Sequence, residues 1–400
     1  MTELHPNLER PTLRHLDTHE VEQDGQRGLV LVDPTGIAPG QAFIPEALLP
    51  IVARFDGAHT VAAIQDELER EIGSDQVPPS FVADIVRDLD GALFLHSPRF
   101  EQELGRQVDE FRGLPHRPAA HAGSAGYPAD PDACARALGA LLGESADAPN
   151  SPPLRGLVAP HIDLARGHAG YRAAYRALAD SEPADLYVVF GTGHQRPTSP
   201  VTGLALDWQT PRGTLRTDQA FVRTIHELLG EADPIDEFLH RGEHSIEFQM
   251  LFLAHVLAGR SFDVAGFLTG SLPRDDTERR RLFSAFQDTA AASGKRVCWI
   301  AGADLAHLGP FFGDPADVDT ALLERLERDE RARLHHLEVG DPAGFHASVH
   351  DDGNRDRVCG SVPITLAATL AGGNGELLHY GQADHADGSQ VVSFCSVRFG

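Results

Sequence analysis

Leu154-Arg155-Gly156-Leu157-Val158-Ala159-Pro160-His161-Ile162-Asp163 reads as a buried strand that delivers a histidine at its carboxyl end. Three further apolar runs share its character: Asp185 to Gly191, Phe262 to Leu268 and Arg296 to Ala301. Each gives way to polar or glycine-rich residues and then to a helical pattern. Such βαβ alternation predicts an α/β fold with a central sheet flanked by helices. Two later runs, Leu377 to Tyr380 and Val391 to Phe399, are separated by a polar loop and predict an antiparallel edge.

The rest of the 400-residue chain is organised around this region. With 34 Lys+Arg against 59 Asp+Glu, the formal charge is −25, which disfavours nucleic acid and anionic membrane surfaces as partners. No uncharged apolar run nears the roughly 18 residues that span a bilayer. Met1 to Pro11 lacks an apolar core, so no signal peptide is expected. The four cysteines, Cys134, Cys298, Cys359 and Cys395, form no CxxC pair and no disulfide framework. A reduced cytoplasmic location follows as the expectation.

Three regions separate by composition: a small unit over residues 1–100, a helical connector and linker over 101–153, and the α/β region over 154–400. In the first, Gly28 to Val32 reads as a strand. Glu46 to Phe55, Val61 to Ile72 behind an N-capping Thr60, and a third segment behind Ser80 read as helices. Ala92 to Leu95 reads as a closing strand. The order β-helix-helix-helix-β suits a winged-helix-like domain. Leu29 to Asp33, Phe55-Asp56-Gly57-Ala58-His59-Thr60-Val61-Ala62-Ala63-Ile64 and Leu89-Asp90-Gly91-Ala92-Leu93-Phe94 resemble the PqqD-like family, small domains that hold peptide substrates for modifying enzymes. The alternative is a helical cap that only packs. Between 113 and 131, Pro, Gly, Ala and His dominate without apolar periodicity, as in a loop.

In open α/β sheets, functional groups gather beyond the carboxyl ends of strands. His161, His194 and His307 occupy such places, although a strand-end histidine also serves as an ordinary loop hydrogen-bonding residue. Neutral imidazole is a frequent transition-metal ligand. Gly191-Thr192-Gly193 is too weak a signal for nucleotide binding without a following GKS/T. Arg241-Gly242-Glu243-His244-Ser245-Ile246-Glu247 opens a helix with Ile246, Met250, Leu253 and Leu257 as one buried stripe. Glu247 there suits the helix dipole, while His244 fits a site rim as hydrogen-bond donor or proton carrier. The absence of HExxH excludes a zincin. Cys359-Gly360-Ser361-Val362-Pro363-Ile364 opens another helix with Pro363 at its first position, so the Cys359 thiol is expected to have a lowered pKa. Cys298 and Cys395 read as core. Asp163 and Arg166 form either a structural pair or a contact for a substrate anion.

Ala159-Pro160-His161, Gly191-Thr192-Gly193-His194, Thr210-Pro211-Arg212-Gly213-Thr214-Leu215 with Asp218, Glu243-His244-Ser245-Ile246-Glu247, Asp304-Leu305-Ala306-His307 and Cys359-Gly360-Ser361-Val362-Pro363-Ile364 together resemble the Memo family, called AmmeMemoRadiSam system protein B in prokaryotes. The resemblance implies a fold like that of the class III extradiol dioxygenases, which use non-haem iron. It implies a mononuclear iron or copper held by His161, His194 and Cys359, with His244, Asp304 and His307 beside it. His244 and His307 would move protons, and Asp304 would orient His307 or bind substrate. A thiolate where dioxygenases use a carboxylate is the softer ligand and favours Cu(I), zinc or thiolate-tuned iron. Ile162-Asp163-Leu164-Ala165-Arg166-Gly167 departs from the His-Ala-Gly-Tyr common in the family at this point.

The function this implies is a metal-dependent, dioxygenase-like oxidoreductase acting on a small-molecule or peptide substrate. A second possibility is a non-catalytic accessory that presents a peptide or metal to a radical-SAM partner. A third is a cysteine-dependent hydrolase built on Cys359 and a nearby histidine.

Overall fold

The computed structural model describes residues 5–23, 25–123, 126–143, 151–231 and 233–400. The chain divides into two compact units, Met1–Gly113 and Leu114–Gly400. The division does not follow the expected boundaries at 100 and 153. The amphipathic run Pro98–Arg112 buries Phe100, Leu104, Val108 and Phe111 within the first unit. The segment from His116 onward pairs and packs within the second.

The first unit opens with an antiparallel meander of β1 (Asp17–Gln23), β2 (Gln26–Val32) and β3 (Gln41–Pro45). Helices α1 (Leu49–Val52), α2 (Val61–Ile72), α3 (Phe81–Gly91) and α4 (Pro98–Arg112) follow. Thr60 caps α2 as its position predicts, its hydroxyl accepting from the Ala63 N–H at 3.1 Å. Ser80 does not cap α3. Its hydroxyl donates to Asp84 at 2.9 Å, and Gln65 Oε1 takes the Val82 N–H at 3.1 Å instead. The closing strand expected at Ala92 to Leu95 is absent. Leu93 adopts φ +65°, which breaks any extended run, and Leu95 makes only an isolated bridge to Leu13. Phe94 and Leu95 instead plug a core of Leu31, Ile44, Phe55, Ile64, Val82 and Val86.

Arg14 is buried against that core. It pairs with Asp33 at 3.1 Å, donates to the Leu93 carbonyl at 2.7 Å and stacks its guanidinium 3.8 Å from the Phe100 ring centroid. Asp33 also accepts from the Ala38 and Thr35 N–H groups. One ion pair thus ties the chain entering the unit to the turn after β2, the end of α3 and the first turn of α4.

In the second unit, β4 (His116–Arg117) and α5 (Pro131–Leu142) precede the sheet. Then come β5 (Gly156–Ala159), α6 (His168–Ala179), β6 (Leu186–Thr192), β7 (Val201–Leu204), β8 (Asp207–Thr210) and β9 (Gly213–Leu215). Helices α7 (Gln219–Leu229), α8 (Pro234–Leu239) and α9 (His244–Val256) lead to β10 (Asp263–Thr269), α10 (Asp276–Ser293), β11 (Val297–Gly302) and β12 (Asp304–Leu308). The chain ends with α11 (Thr320–Glu338), α12 (Pro342–His350), α13 (Ser361–Ala371), β13 (Gly375–Asp384) and β14 (Val391–Phe399).

The four predicted central strands are β5, β6, β10 and β11, and they run parallel in the order β5-β11-β6-β10. Helices cover both faces, which is why β5, β6 and β10 are buried along their whole length. Val188, Phe190, Phe267 and Trp299 face one layer with α7, α10 and α13. Alternate residues face α6 and α9. The antiparallel edge also forms, β13 pairing with β14 from Gly375↔Phe399 to Asp384↔Val391.

The stretch Asp304 to His307, expected to trail a strand as a loop, is itself a strand. β5 is short and pairs with β14 only over 156–158 against 397–399. The remaining length of β14 is left without a neighbour on that side, and β12 takes it, Asp304 opposite Phe394 and His307 opposite Val392. The sheet therefore forks at the end of β5. A small sheet, β4-β8-β9, was not foreseen from the sequence. Nor does α9 carry a single apolar stripe: Ser245 to Ala254 are all buried, because the helix is packed on every side. Among the described residues, no helix is long and apolar enough to cross a membrane.

Removing one partner of a buried ion pair leaves the other charged group uncompensated. Arg14→Ala is therefore expected to destabilise the first unit by about 3–5 kcal/mol. Denaturant unfolding of the full chain, read by pulse proteolysis with mass spectrometry of peptides from the first unit, checks this. A shift under about 1 kcal/mol would contradict the role given to the pair.

Candidate metal centre

The carboxyl ends of β5, β6 and β11 lie beside the fork in the sheet, and α9 begins directly over them. Close approach is possible because two strand ends are glycine. A Cβ on Gly191 would lie 2.5 Å from the Ser245 hydroxyl, and one on Gly302 would collide with the Ser245 carbonyl. From α9, Gln249 donates to the Pro160 carbonyl at 3.0 Å and accepts from Tyr175 at 2.6 Å, which fixes the residue before His161.

His161 leaves β5 fully buried. Its Nδ1 lies 2.9 Å from the Gly302 carbonyl, so the proton sits on Nδ1 and the Nε2 lone pair is free. That Nε2 is 3.4 Å from the Cys359 sulfur and 3.6 Å from Asp304 Oδ2. Burial, with His194 and His244 close by, holds the His161 pKa well below the usual imidazole value, so the ring is neutral.

His194 follows β6. Its Nδ1 lies 3.0 Å from both oxygens of Glu243, which also takes the His194 N–H at 3.2 Å. Glu243 is the N-cap of α9 and accepts from the Ser245 N–H at 2.9 Å. Burial opposes a charge on His194, but the Glu243 carboxylate and the Cys359 thiol override it and raise the His194 pKa well above its ordinary value. Glu243, itself opposed by burial, is held ionised by His194 and His244. The His244 ring stacks on His194 at 4.8 Å between centroids. Burial pushes its pKa down to about 4, with His194 and His121 adding to the effect.

Ring-nitrogen and sulfur donors of His161, His194 and Cys359 converge: one ligand atom from each lies within 4.8 Å of the others. His194, Glu243 and His244 form a second, overlapping group on the same criterion. The expected meeting of residues 161, 194 and 359, remote in sequence, thus occurs in the fold. The expectation about Cys359 acidity does not hold. Burial raises its thiol pKa, although His194 works against this. Cys359 precedes rather than begins α13, and Pro363 falls third in that helix, not first.

Asp304, at the start of β12, is buried and accepts the His161 N–H at 2.9 Å. Burial pushes its pKa up to about 7 against the pull of the His161 and Ile162 N–H groups, so near neutrality it is available in both protonation states. His307 lies one turn of the pleat further along β12. Its Nδ1 is held between the Leu305 and Arg357 carbonyls at 3.2 and 3.3 Å, and its ring meets Phe312 edge-on at 5.2 Å. It does not belong to either ligand group among the described residues. Cys298 and Cys395 are buried in β11 and β14 as expected, the Cys298 thiol pushed up to about 12. Asp163 and Arg166 resolve as an ion pair with each other, Arg166 also donating its N–H to Asp163 at 3.0 Å.

What sequence reasoning missed is the wall behind His244. Glu247 stands in the first turn of α9, where the helix dipole favours it, but it has a second role. It is buried and accepts from Arg117, from the Ala120 and His121 N–H groups at 3.1 and 2.8 Å, from His121 Nδ1 at 3.1 Å and from Tyr127 at 2.5 Å. Despite burial, these donors lower its pKa to about 2. The Arg117 and Glu247 side chains are 0% and 1% exposed. The described residues between 116 and 127, in the stretch read as a loop, therefore form a strap fastened to the first turn of α9. The only sequence signal was the unexplained density of histidine, arginine and tyrosine in a proline-rich segment.

The Glu243–His194 pair makes a pH prediction for metal-free protein. A histidine whose folded-state pKa is raised contributes stability that is complete below 6.5 and fades as pH rises through the folded-state midpoint. Ring-proton NMR should show His194 titrating above 6.5 in the wild type, and at or below that value in Glu243→Gln. A wild-type midpoint below 6.5 would contradict the pairing.

Comparison with known proteins agrees with this architecture. A family profile described as "Memo-like protein" matches residues 117–398, including the strap. A "MEMO1 family protein" of Aquifex aeolicus is 25% identical over 374 residues, covering 92% of this chain and 95% of that one. Coverage that wide takes in the first unit as well as the second. A "MEMO1 family protein" of Methanococcoides burtonii is 32% identical over 235 residues, covering 56% of this chain and 81% of its own length. One of Methanopyrus kandleri is 28% identical over 290 residues, covering 68% and 95%. With a family match spanning most of its length and every element of the site inside it, the chain belongs to the Memo-like family.

Proposed function

We propose that the second unit is a mononuclear metal centre of a dioxygenase-like oxidoreductase, with iron or copper held by His161, His194 and Cys359. The observation that carries this reading is the tautomer control. Gly302 holds Nδ1 of His161, leaving its Nε2 3.4 Å from the cysteine sulfur, and Glu243 holds Nδ1 of His194. Outer partners that fix a ligand's tautomer and orientation are the usual mark of a metal site. The donor chemistry fits: two imidazoles and one sulfur suit a borderline or soft transition ion, and coordination releases the proton that Glu243 holds on His194 and the thiol proton that burial otherwise retains. Bound there, the ion would supply a Lewis-acidic, redox-active centre with positions left for a ligand or O2. Asp304, able to give or accept a proton near neutrality, and His244, neutral on the opposite side, would move protons at the ligand, with His307 further along β12. The likeness to class III extradiol dioxygenases belongs to this proposal. So does a peptide-holding, winged-helix-like role for the first unit, and with it a radical-SAM partner.

Metal analysis of protein purified without added metal tests the reading. About one equivalent of iron or copper is expected in the wild type and a trace in His161→Ala with Cys359→Ala. Glu243→Gln should weaken affinity roughly 10- to 100-fold. Absence of metal from the wild type, or equal content in the double variant, would refute it.

One arrangement favours a second reading. Cys359, His194 and Glu243 stand in the order nucleophile, base and orienting carboxylate. Iodoacetamide labelling separates the two. If Cys359 is a ligand, iron or copper protects it from alkylation. If it is a hydrolytic nucleophile, alkylation proceeds equally with and without metal.

A further inference from the structure

The strap poses a question that metal ligation does not answer. Arg117, Tyr127 and two backbone N–H groups all converge on Glu247, and the side chain they leave facing the site is His121. We propose that His121 is a working residue of the centre: an imidazole held by Glu247 as proton acceptor for a hydroxyl or N–H group on a ligand bound beside His244. This rests on the reading of the site given above and extends it to the kind of ligand taken, one with a protic group.

Three observations carry the inference. First, His121 Nδ1 lies 3.1 Å from Glu247 Oε2, and an ionised carboxylate can only accept, so the proton stays on Nδ1 and Nε2 keeps its lone pair. Second, the arrangement repeats that of His194 and Glu243 one helical turn earlier. Glu243 and Glu247, four residues apart at the start of α9, each orient one imidazole brought in from another segment. The first of these imidazoles belongs to the converging donor group, and the second does not. Third, the rings are contiguous: His161, His194 and His244 form a triangle with centroids 4.9, 4.8 and 5.2 Å apart, and His121 joins it through His244 at 5.7 Å. His121 is the outlying ring of this group, 22% exposed and braced edge-on by Phe248 at 5.8 Å.

In the step this allows, a ligand O–H or N–H bond breaks and its proton bonds to His121 Nε2. The ligand keeps the electron pair. The resulting imidazolium is stabilised by Glu247 through the Nδ1–H already in place, and it returns the proton later. Glu247 does not accept the proton itself, since Arg117 and Tyr127 hold it as a carboxylate.

Diethyl pyrocarbonate acylates unprotonated, accessible imidazole nitrogen, and mass spectrometry of the full-length protein across a pH series reads, at each histidine, the limiting rate reached once the ring is deprotonated. His121 is expected to react faster than the exposed His19. Glu247→Gln is expected to slow it about tenfold, while Tyr127→Phe, which removes a different bond to the same carboxylate, leaves it within about twofold. Reaction of wild-type His121 no faster than His19, or a rate indifferent to Glu247→Gln, would overturn the inference. The wild-type comparison stands alone if Glu247→Gln does not fold. Metal content of the same wild-type preparation is a separate readout, so an absent metal counts against the proposed function and a sluggish His121 counts against this inference.

Discussion

A single buried carboxylate, Glu243, joins the parts of the site. It caps α9 through the Ser245 N–H, takes the backbone N–H of His194 and faces Nδ1 of both His194 and His244. Burying a carboxylate is costly unless its lone pairs are used, and here the partners are drawn from the end of β6 and the start of α9 alike. The helix cannot shift without stranding the charge, and the loop after β6 cannot relax without losing its anchor. The same bonds that stabilise the fold therefore set the tautomer and direction of an imidazole. Fold and site are here one hydrogen-bond network.

That network needs a sheet able to receive it. Gly191 and Gly302 let the first turn of α9 lie against two adjacent strand ends, which brings Glu243 within reach of His194. The fork between β5 and β12 supplies the third side. Because β5 stops at Ala159 while β14 continues, Asp304 arrives beside His161 through strand pairing rather than through a loop. Cys359 is then placed by its own backbone, its N–H bonded to the Leu305 carbonyl at 3.3 Å and that of Gly360 to the Asp304 carbonyl at 3.0 Å. Three ligand-type side chains separated by up to 198 positions meet because four backbone segments are pinned to one another.

Much of this was legible in the sequence. Apolar runs of five to seven residues followed by glycine or histidine mark parallel strands, since only strands buried on both faces lack polar alternation. Histidines at the ends of such runs point to one edge of a sheet whatever the order of strands. Less legible was anything decided by pairing partners. Asp304 to Leu308 carries no strand signal of its own and extends only because β14 offers an open edge. Leu93 looked like part of a strand, yet core packing of Phe94 and Leu95 outweighed its extended preference. The Cys359 thiol was expected to be acidic from its place before a helix. Desolvation outweighs the pull of His194, a competition that depends on burial and is invisible in a linear motif.

The strap over 116–127 shows the same limit from the other side. Periodicity finds segments that bury an apolar face, and this segment buries polar groups instead. Its Arg117 is as inaccessible as any leucine of the core, with its guanidinium satisfied by Glu247 and by the His240 and Glu243 carbonyls. Replacing such a pair by apolar residues is often neutral or stabilising in proteins, so stability alone does not explain its presence. What an apolar plug would not supply is direction. A charge that must be met at fixed angles locates the strap, and with it His121, far more sharply than a hydrophobic contact would. In this fold Glu243 and Glu247 act as register marks, one turn apart, that each fix one imidazole brought in from another segment.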